Sequence, residues 1–367
     1  MFAIGFPSIY KQGSGLLEHL GELVRPFGQK PLIVCDQFVK TNYGDTISRS
    51  MQAANLDVTF DDFAGECSPQ AVASAVERVR AKGLDCVIGL GGGKAIDAAK
   101  AVKIDTAVPV IVVPTIASND SPTSRLAIMY DEDGKFFGPK FLTTNPDAIF
   151  VDTGVVAKAP VRFFRAGIAD ALATKFEADQ VRLAGKNNFF DAQPTETAIC
   201  LADHCYTVLR THGGAAVRDV LNTQTSPAVE KVVEANILLS GLGFEGCGVA
   251  GAHAIGMALS VLPQAKGILH GEEVAIGLLA QFALEGRDNA FMADILNFYE
   301  EVGLPRCLRD VGLIDLSHEE LRQIAVFATR QGSRIHNMQH PVSTLDVYDA
   351  LRGLAGSSQP FRATLLP

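Results

Sequence analysis

Over the first 155 or so residues, short apolar runs alternate with amphipathic stretches. Residues 31–35 before Asp36 and 148–151 before Asp152, like 56–60, 86–90 and 108–113, are rich in Val, Ile, Leu, Phe and Cys. Runs of that length and composition suit strands buried on both faces of a sheet. Residues 15–23 and 43–54 have helical period, as does a stretch that opens on Ser68-Pro69 and reaches about Lys82. Its Ser-Pro start is an N-cap with proline at the first helical position. Strands that alternate with helices predict a parallel, doubly wound sheet. Residues 125–130 and 135–137 flank Asp131-Glu132-Asp133-Gly134 and read as a hairpin. From about Pro160 the period is helical and the breaks fall at Gly and Pro. The pattern predicts an α/β domain over 1–158 and an all-α domain over 159–367, and 367 residues are enough for about two domains. From about Gly356 the chain reads as a loose tail.

Composition narrows the classes. With 47% hydrophobic and 20% charged residues, the chain can bury a large core. A net charge of −9 with no basic patch argues against nucleic acid as a partner and against docking to anionic membranes. No apolar stretch is long enough to span a bilayer, and no charged segment followed by an apolar run opens the chain. Seven scattered cysteines without a C-x-x-C pair fit reduced thiols and a cytoplasmic location. Cys200 and Cys205, on either side of His204, read as core thiols of a helix.

The densest chemistry lies at Gly89-Leu90-Gly91-Gly92-Gly93-Lys94, between an apolar run and the Ala-rich stretch Ala95-Ile96-Asp97-Ala98-Ala99-Lys100. That order reads as strand, tight turn and helix N-terminus, where free N–H groups and the helix dipole favour a phosphate. Lys94 adds a positive charge. Gly89 and Gly91 fit G-x-G, but Lys94 stands where the dinucleotide fingerprint has its third glycine, and no Ser or Thr follows at P-loop spacing. Asp36, this turn and Pro114-Thr115-Ile116-Ala117-Ser118-Asn119-Asp120 all fall at strand ends, where ligands bind in such sheets. Asp36 is placed either to accept from ribose hydroxyls and repel a 2′-phosphate, or simply to cap a helix.

In the helical half, Asp170, His253 and His270 stand among small and apolar neighbours, where such groups are costly unless paired or metal-bound. Two His and one carboxylate form a recurrent catalytic zinc set. Gaps of 83 and 17 residues are no local metal motif, however, and by spacing alone three separate core residues fit better. His336 and His340 read either as cleft-lining residues or, by default, as residues of surface loops.

Taken together, Gly89-x-Gly91-Gly92-Gly93-Lys94-x-x-Asp97, Pro114-Thr115-Ile116-Ala117-Ser118, Gly167-Ile168-Ala169-Asp170-Ala171-Leu172, Gly251-Ala252-His253 and Leu269-His270-Gly271-Glu272 resemble the metal-dependent polyol branch of the iron-containing alcohol dehydrogenase superfamily. The likeness runs the length of the chain, with Gly65-Glu66-Cys67-Ser68 and Ile335-His336-Asn337-Met338 adding to it. It implies a dehydroquinate synthase-like architecture, with an NAD-binding α/β domain, a helical metal- and substrate-binding domain and a site in the cleft between them. Asp36 is implied at the adenosine ribose. Gly93 and Lys94 are implied at the pyrophosphate side, with Gly92, Asp97, Thr115 and Ser118 also on the cofactor. Ser124, Leu126 and Tyr130 are implied at the nicotinamide end, Asp120 at the polyol, and Asp170, His253 and His270 as zinc ligands.

Iron-dependent members usually carry a further His four residues after the Asp, where this chain has Thr174, and often another at the position of Met257. Zinc is therefore the implied metal. Asn119 stands where Thr is expected in the polyol enzymes and bears on the pocket. The implied reaction is reversible oxidation of a secondary hydroxyl of a vicinal polyol by NAD, glycerol to dihydroxyacetone. The resemblance also implies a cytoplasmic homo-oligomer such as an octamer. Another diol or polyol dehydrogenase, a dehydroquinate synthase-like lyase using NAD transiently, and a nucleotide-binding regulator without turnover are the competing readings.

Overall fold

The computed structural model describes residues 1–355 apart from Ala64, Glu132 and Asp133, and describes no side chain for Asp62 or Phe136. Two turn residues of the expected hairpin and the tail expected from Gly356 thus lie outside the described residues. The chain folds into two compact units. One comprises Gly5–Val161 with Asp219–Gly241, and the other Met1–Ile4, Arg162–Arg218 and the described residues from Leu242 onward.

The first unit is built on a six-stranded, all-parallel sheet. Its strands are β1 (Ile9–Gly13), β2 (Pro31–Cys35), β3 (Thr59–Asp62), β4 (Cys86–Gly91), β5 (Val110–Pro114) and β8 (Ala148–Asp152). They lie in the order β1-β8-β5-β4-β2-β3. The short ribbon of β6 (Leu126–Tyr130) and β7 (Phe136–Phe141) is the expected hairpin. Helices α1 (Leu20–Val24), α2 (Gln37–Ala53), α3 (Pro69–Lys82), α4 (Gly93–Thr106) and α5 (Thr153–Lys158) belong to the same unit. The apolar runs are explained by burial on both faces. Leu32, Val34 and Val87 join a cluster with Val72, Val76 and Val79 of α3 and Ala98 and Val102 of α4. Alternate residues Ile33, Ile88 and Ile111 join Ile47 and Met51 of α2 and Leu20 and Val24 of α1.

Helix α2 begins at Gln37 rather than near Tyr43. Asp36 is its N-cap, with Oδ1 accepting from the Val39 N–H at 2.8 Å. Segment Asp219–Gly241 contributes α8 (Pro227–Glu234) and a π-helical turn, Ala235–Leu239, to this unit.

The second unit is helical. Its described elements include most of α6 (Val161–Leu183), α7 (Glu196–Leu221) and α9 (Ser240–Cys247), and all of α10 (Gly251–Ala258), α11 (His270–Leu284), α12 (Asn289–Val302), α13 (His318–Ala328) and α14 (Thr344–Ala355). Helices α10 and α11 lie backbone to backbone. A Cβ on Gly277 would stand 2.0 Å from the Ala252 carbonyl oxygen, and one on Gly256 2.7 Å from that of Glu273. A Cβ on Gly271 would stand 1.9 Å from the Ala166 carbonyl oxygen of α6. Edge-to-face stacking of Phe176, Phe282 and Phe291 ties α6, α11 and α12 together. No single described helix is long and apolar enough to cross a membrane. None of the seven cysteines forms a disulfide; Cys205 is buried as expected, whereas Cys200 is exposed rather than a core thiol.

Candidate active site

In the sheet unit, β4 runs into the glycine-rich turn and α4 starts at its far side. Gly91 has φ of +149°, which disfavours a side chain, and Gly92 is the N-cap with no side-chain hydrogen bond to the helix start. A Cβ on Gly89 would lie 2.9 Å from that of Ala99 and 3.0 Å from the Ile96 Cα, so this glycine seats α4 against β4. The first turn of a 14-residue helix thereby presents backbone N–H groups at the carboxyl edge of the sheet, beside Asp36 at the end of the adjacent β2. Lys94 pairs with Glu66. Asn119 reaches over this turn, its Nδ2 3.6 Å from a Cβ placed on Gly93, and its Oδ1 accepts from the Ser121 N–H.

Asp97 and Lys100 point the other way, into the protein. Asp97 accepts from the Ser121 hydroxyl at 3.0 Å and the Ile128 N–H at 3.1 Å. Fully buried Lys100 donates to the carbonyls of Ser121 and Leu126 and lies 3.6 Å from Asp97. Burial pushes the Asp97 carboxyl above its ordinary value against the opposing Lys100 charge. The pair fastens residues 121–128 to α4. Ser124 is buried and shapes the same loop, its hydroxyl bonding to the Ser121 carbonyl and accepting from the Leu126 N–H. Thr115 donates its N–H to the Gly91 carbonyl, while Ser118, Leu126 and Tyr130 are half-buried.

Asp120 is buried and accepts from the Ser240 hydroxyl at 2.8 Å. Around it, the Asn236 amide donates to the Ala117 carbonyl and Thr123 to the Ile237 carbonyl. A π-helical turn, an element that recurs at functional sites, thus holds the Asp120 loop. Sequence reasoning missed Thr123, Asn236 and Ser240. Residues 235–240 read only as helical, and nothing local links them to Asp120.

In the helical unit, Asp170, His253 and His270 bring one ligand atom each to within 4.8 Å of the others. Asp170 Oδ1 lies 3.4 Å from His253 Nε2 and 3.5 Å from His270 Nε2. These separations are long for hydrogen bonds. They match two donors of a tetrahedral zinc, which at 2.0–2.1 Å from the ion stand about 3.4 Å apart. Two imidazoles and a carboxylate with their donor atoms converging therefore fit a divalent metal. Asp170 is fully buried, whereas the His270 side chain is 37% exposed, so the cluster is walled on one side and reachable from the other.

The helix starts that carry the two histidines are held by neighbouring side chains. Glu177, two turns after Asp170 on α6 and fully buried, accepts from His253 Nδ1 at 2.5 Å. Its other oxygen accepts from the N–H groups of Ala250 and His253, and Gln281 accepts from the Ala252 N–H. The start of α10 is thus capped by side chains of α6 and α11. Glu272 caps the start of α11 by accepting from the Leu269 N–H. It is clamped in turn by Arg162, which also reaches the Gly267 carbonyl. Burial opposes protonation of His253, but the Glu177 and Asp170 carboxylates outweigh it and hold the ring well above its ordinary pKa. Burial lowers the His270 pKa, with Asp170 countering only in part.

Thr174 is buried, its methyl 2.7 Å from a Cβ placed on Gly243 of α9, and it adds no imidazole to the cluster. His336 and His340 are exposed. Sequence reasoning missed Glu177, for which the seven-residue spacing from Asp170 on one helix was an available signal.

A parallel sheet with a glycine-rich turn at its carboxyl edge and a separate His/His/Asp cluster in a helical unit suit a nucleotide- and metal-dependent enzyme. Residues 7–153 match the family described as iron-containing alcohol dehydrogenase. Over 348 residues the chain is 42% identical to the glycerol dehydrogenase of Thermotoga maritima, covering 95% of each. It is 39% identical to the glycolaldehyde reductase of Halobacterium salinarum, covering 94% of each. A solved structure of a probable glycerol dehydrogenase from Sinorhizobium meliloti superposes with a TM-score of 0.91 at 37% identity, over 97% of this chain and 98% of that one. The chain belongs to the iron-containing alcohol dehydrogenase family and is an oxidoreductase.

Proposed function

We propose that this chain reversibly oxidises the secondary hydroxyl of a vicinal polyol, glycerol to dihydroxyacetone, with NAD as hydride acceptor and one zinc ion. The observation that carries the reading is the convergence of His253 Nε2, His270 Nε2 and Asp170 Oδ1 in a chain that resembles glycerol dehydrogenases along its whole length. Asp170, His253 and His270 would hold the metal, which when bound supplies Lewis-acid stabilisation of the alcohol as it loses its proton. Asp120, fixed by Ser240, accepts from a polyol hydroxyl and orients the substrate.

The sheet unit takes the dinucleotide. Gly92, Gly93 and Lys94 receive the pyrophosphate at the start of α4, and Asp36 accepts from the adenosine ribose. Thr115 and Ser118 flank the cofactor, and Leu126 and Tyr130 line its nicotinamide end. Asp97, Lys100 and Ser124 act through the loop they fasten. Homo-oligomeric assembly and a cytoplasmic location belong to the same reading and are checked by light scattering and by cell fractionation.

The test is a panel of vicinal diols, glycerol and glycolaldehyde, assayed by NADH formation or consumption before chelation, after it, and after zinc or iron is returned. The expected result is glycerol oxidation that chelation abolishes and zinc restores. Restoration by iron alone overturns the zinc assignment. Preferred reduction of glycolaldehyde, the substrate named for the Halobacterium relative, overturns the glycerol assignment.

A further inference from the structure

We infer that Glu177 is a positioning residue for the metal centre, one that selects the tautomer of His253. The inference rests on the metal reading above. Nothing in the chemistry of a metal ligand requires a second carboxylate beside Asp170, and burying one is costly. Glu177 is nevertheless fully buried, and its two oxygens have separate tasks. Oε1 accepts from the N–H groups of Ala250 at 2.8 Å and His253 at 2.9 Å, while Oε2 meets His253 Nδ1 at 2.5 Å.

A carboxylate oxygen can only accept, so the ring proton sits on Nδ1. In the neutral ring that a metal takes up, the lone pair is then on Nε2, the nitrogen 3.4 Å from Asp170 Oδ1 in a ring that neighbours His270. One side chain therefore fixes both the start of α10 and the nitrogen that His253 offers. Carboxylates behind metal-bound histidines have this effect in general.

The division of labour makes the isosteric change decisive. In Glu177→Gln the amide oxygen must stay on the two backbone donors, because an NH2 group there would face two N–H groups. The amide nitrogen is then left against Nδ1, where it can only donate. That drives the ring proton to Nε2 and removes the lone pair from the cluster, although helix capping, volume and burial are kept.

The experiment compares wild type, Glu177→Gln and His253→Ala, each stripped with chelator. Zinc affinity is measured by competition with a chromogenic chelator, alongside thermal melting of the stripped protein and NADH binding. The expected result is zinc affinity about 10–100-fold weaker in Glu177→Gln, with melting and NADH binding near wild type. Wild-type zinc affinity in Glu177→Gln, with zinc lost in His253→Ala, overturns the tautomer role and leaves the metal reading standing. Equal zinc binding in wild type and His253→Ala overturns the metal reading and the inference together.

Long-range 1H–15N spectra of the zinc-loaded wild type, labelled at histidine, give a second check that does not depend on the variant folding. A His253 proton on Nδ1 supports the role, and one on Nε2 overturns it.

Discussion

The turn at Gly89–Lys94 and the cluster of Asp170, His253 and His270 each gather polar atoms, and they differ in what places those atoms. In the turn the atoms are backbone N–H groups of consecutive residues, placed by the junction of β4 and α4. In the cluster they are side-chain atoms from α6, α10 and α11, placed by helix packing and by Glu177, Glu272 and Arg162 behind them. A site made of consecutive backbone is specified locally and survives most single substitutions. A site assembled from distant side chains depends on every element that carries one. The sharpest changes should therefore fall on the helical unit.

The largest expected effect is His253→Ala. Removing one of three ligands should release the metal and cost several kcal/mol of barrier lowering, roughly a thousandfold or more in turnover. NADH binding should persist, as titration by fluorescence would show, and its loss in parallel would break the contrast between the two sites. Next, Asp120→Ala should weaken polyol binding by about 1.5–3 kcal/mol if the carboxylate contacts substrate hydroxyls. Steady-state kinetics should show KM for glycerol rising while that for NAD stays put. Ser240→Ala should move the same constant in the same direction by only about 0.5–1.5 kcal/mol, since it removes one hydrogen bond that fixes Asp120.

Gly277→Ala tests the packing itself. Its methyl would have to displace the Ala252 carbonyl, so melting should show a loss of about 1–3 kcal/mol with weaker zinc retention. The smallest effect is expected from Asp36→Asn. Asparagine caps a helix as well as aspartate does, so α2 should be undisturbed while the charge is lost. The ratio of NAD to NADP use should fall, and an unchanged ratio would leave Asp36 with capping alone.

Legibility in the sequence follows the same divide. Strand β8 is readable from its apolar run and closing Asp152, and the start of α3 from Ser68-Pro69, because run length and cap chemistry are local signals. The parallel sheet follows from the alternation of runs and periods. The start of α2 is harder to place, because Asp36 suits a ligand and a cap equally well in sequence, and its capping of Val39 is visible only in three dimensions. Spacing alone points to separate core residues for Asp170, His253 and His270, and only the resemblance names them as a set. Glu177 and Ser240 have no such help, since each matters through a partner more than 70 residues away in the chain.

The glycines at the helix crossings also bear on how this enzyme can be redesigned. Because Gly256, Gly271 and Gly277 let peptide groups touch peptide groups, the spacing of the helices that carry Asp170, His253 and His270 is set by main-chain dimensions rather than by the sizes of the residues packed between them. Substrate range and metal geometry thereby become separable variables. A mutant library that spares these glycines can enlarge or recharge the pocket walls while every member inherits the same ligand triangle, whereas one that includes them would scatter that triangle first.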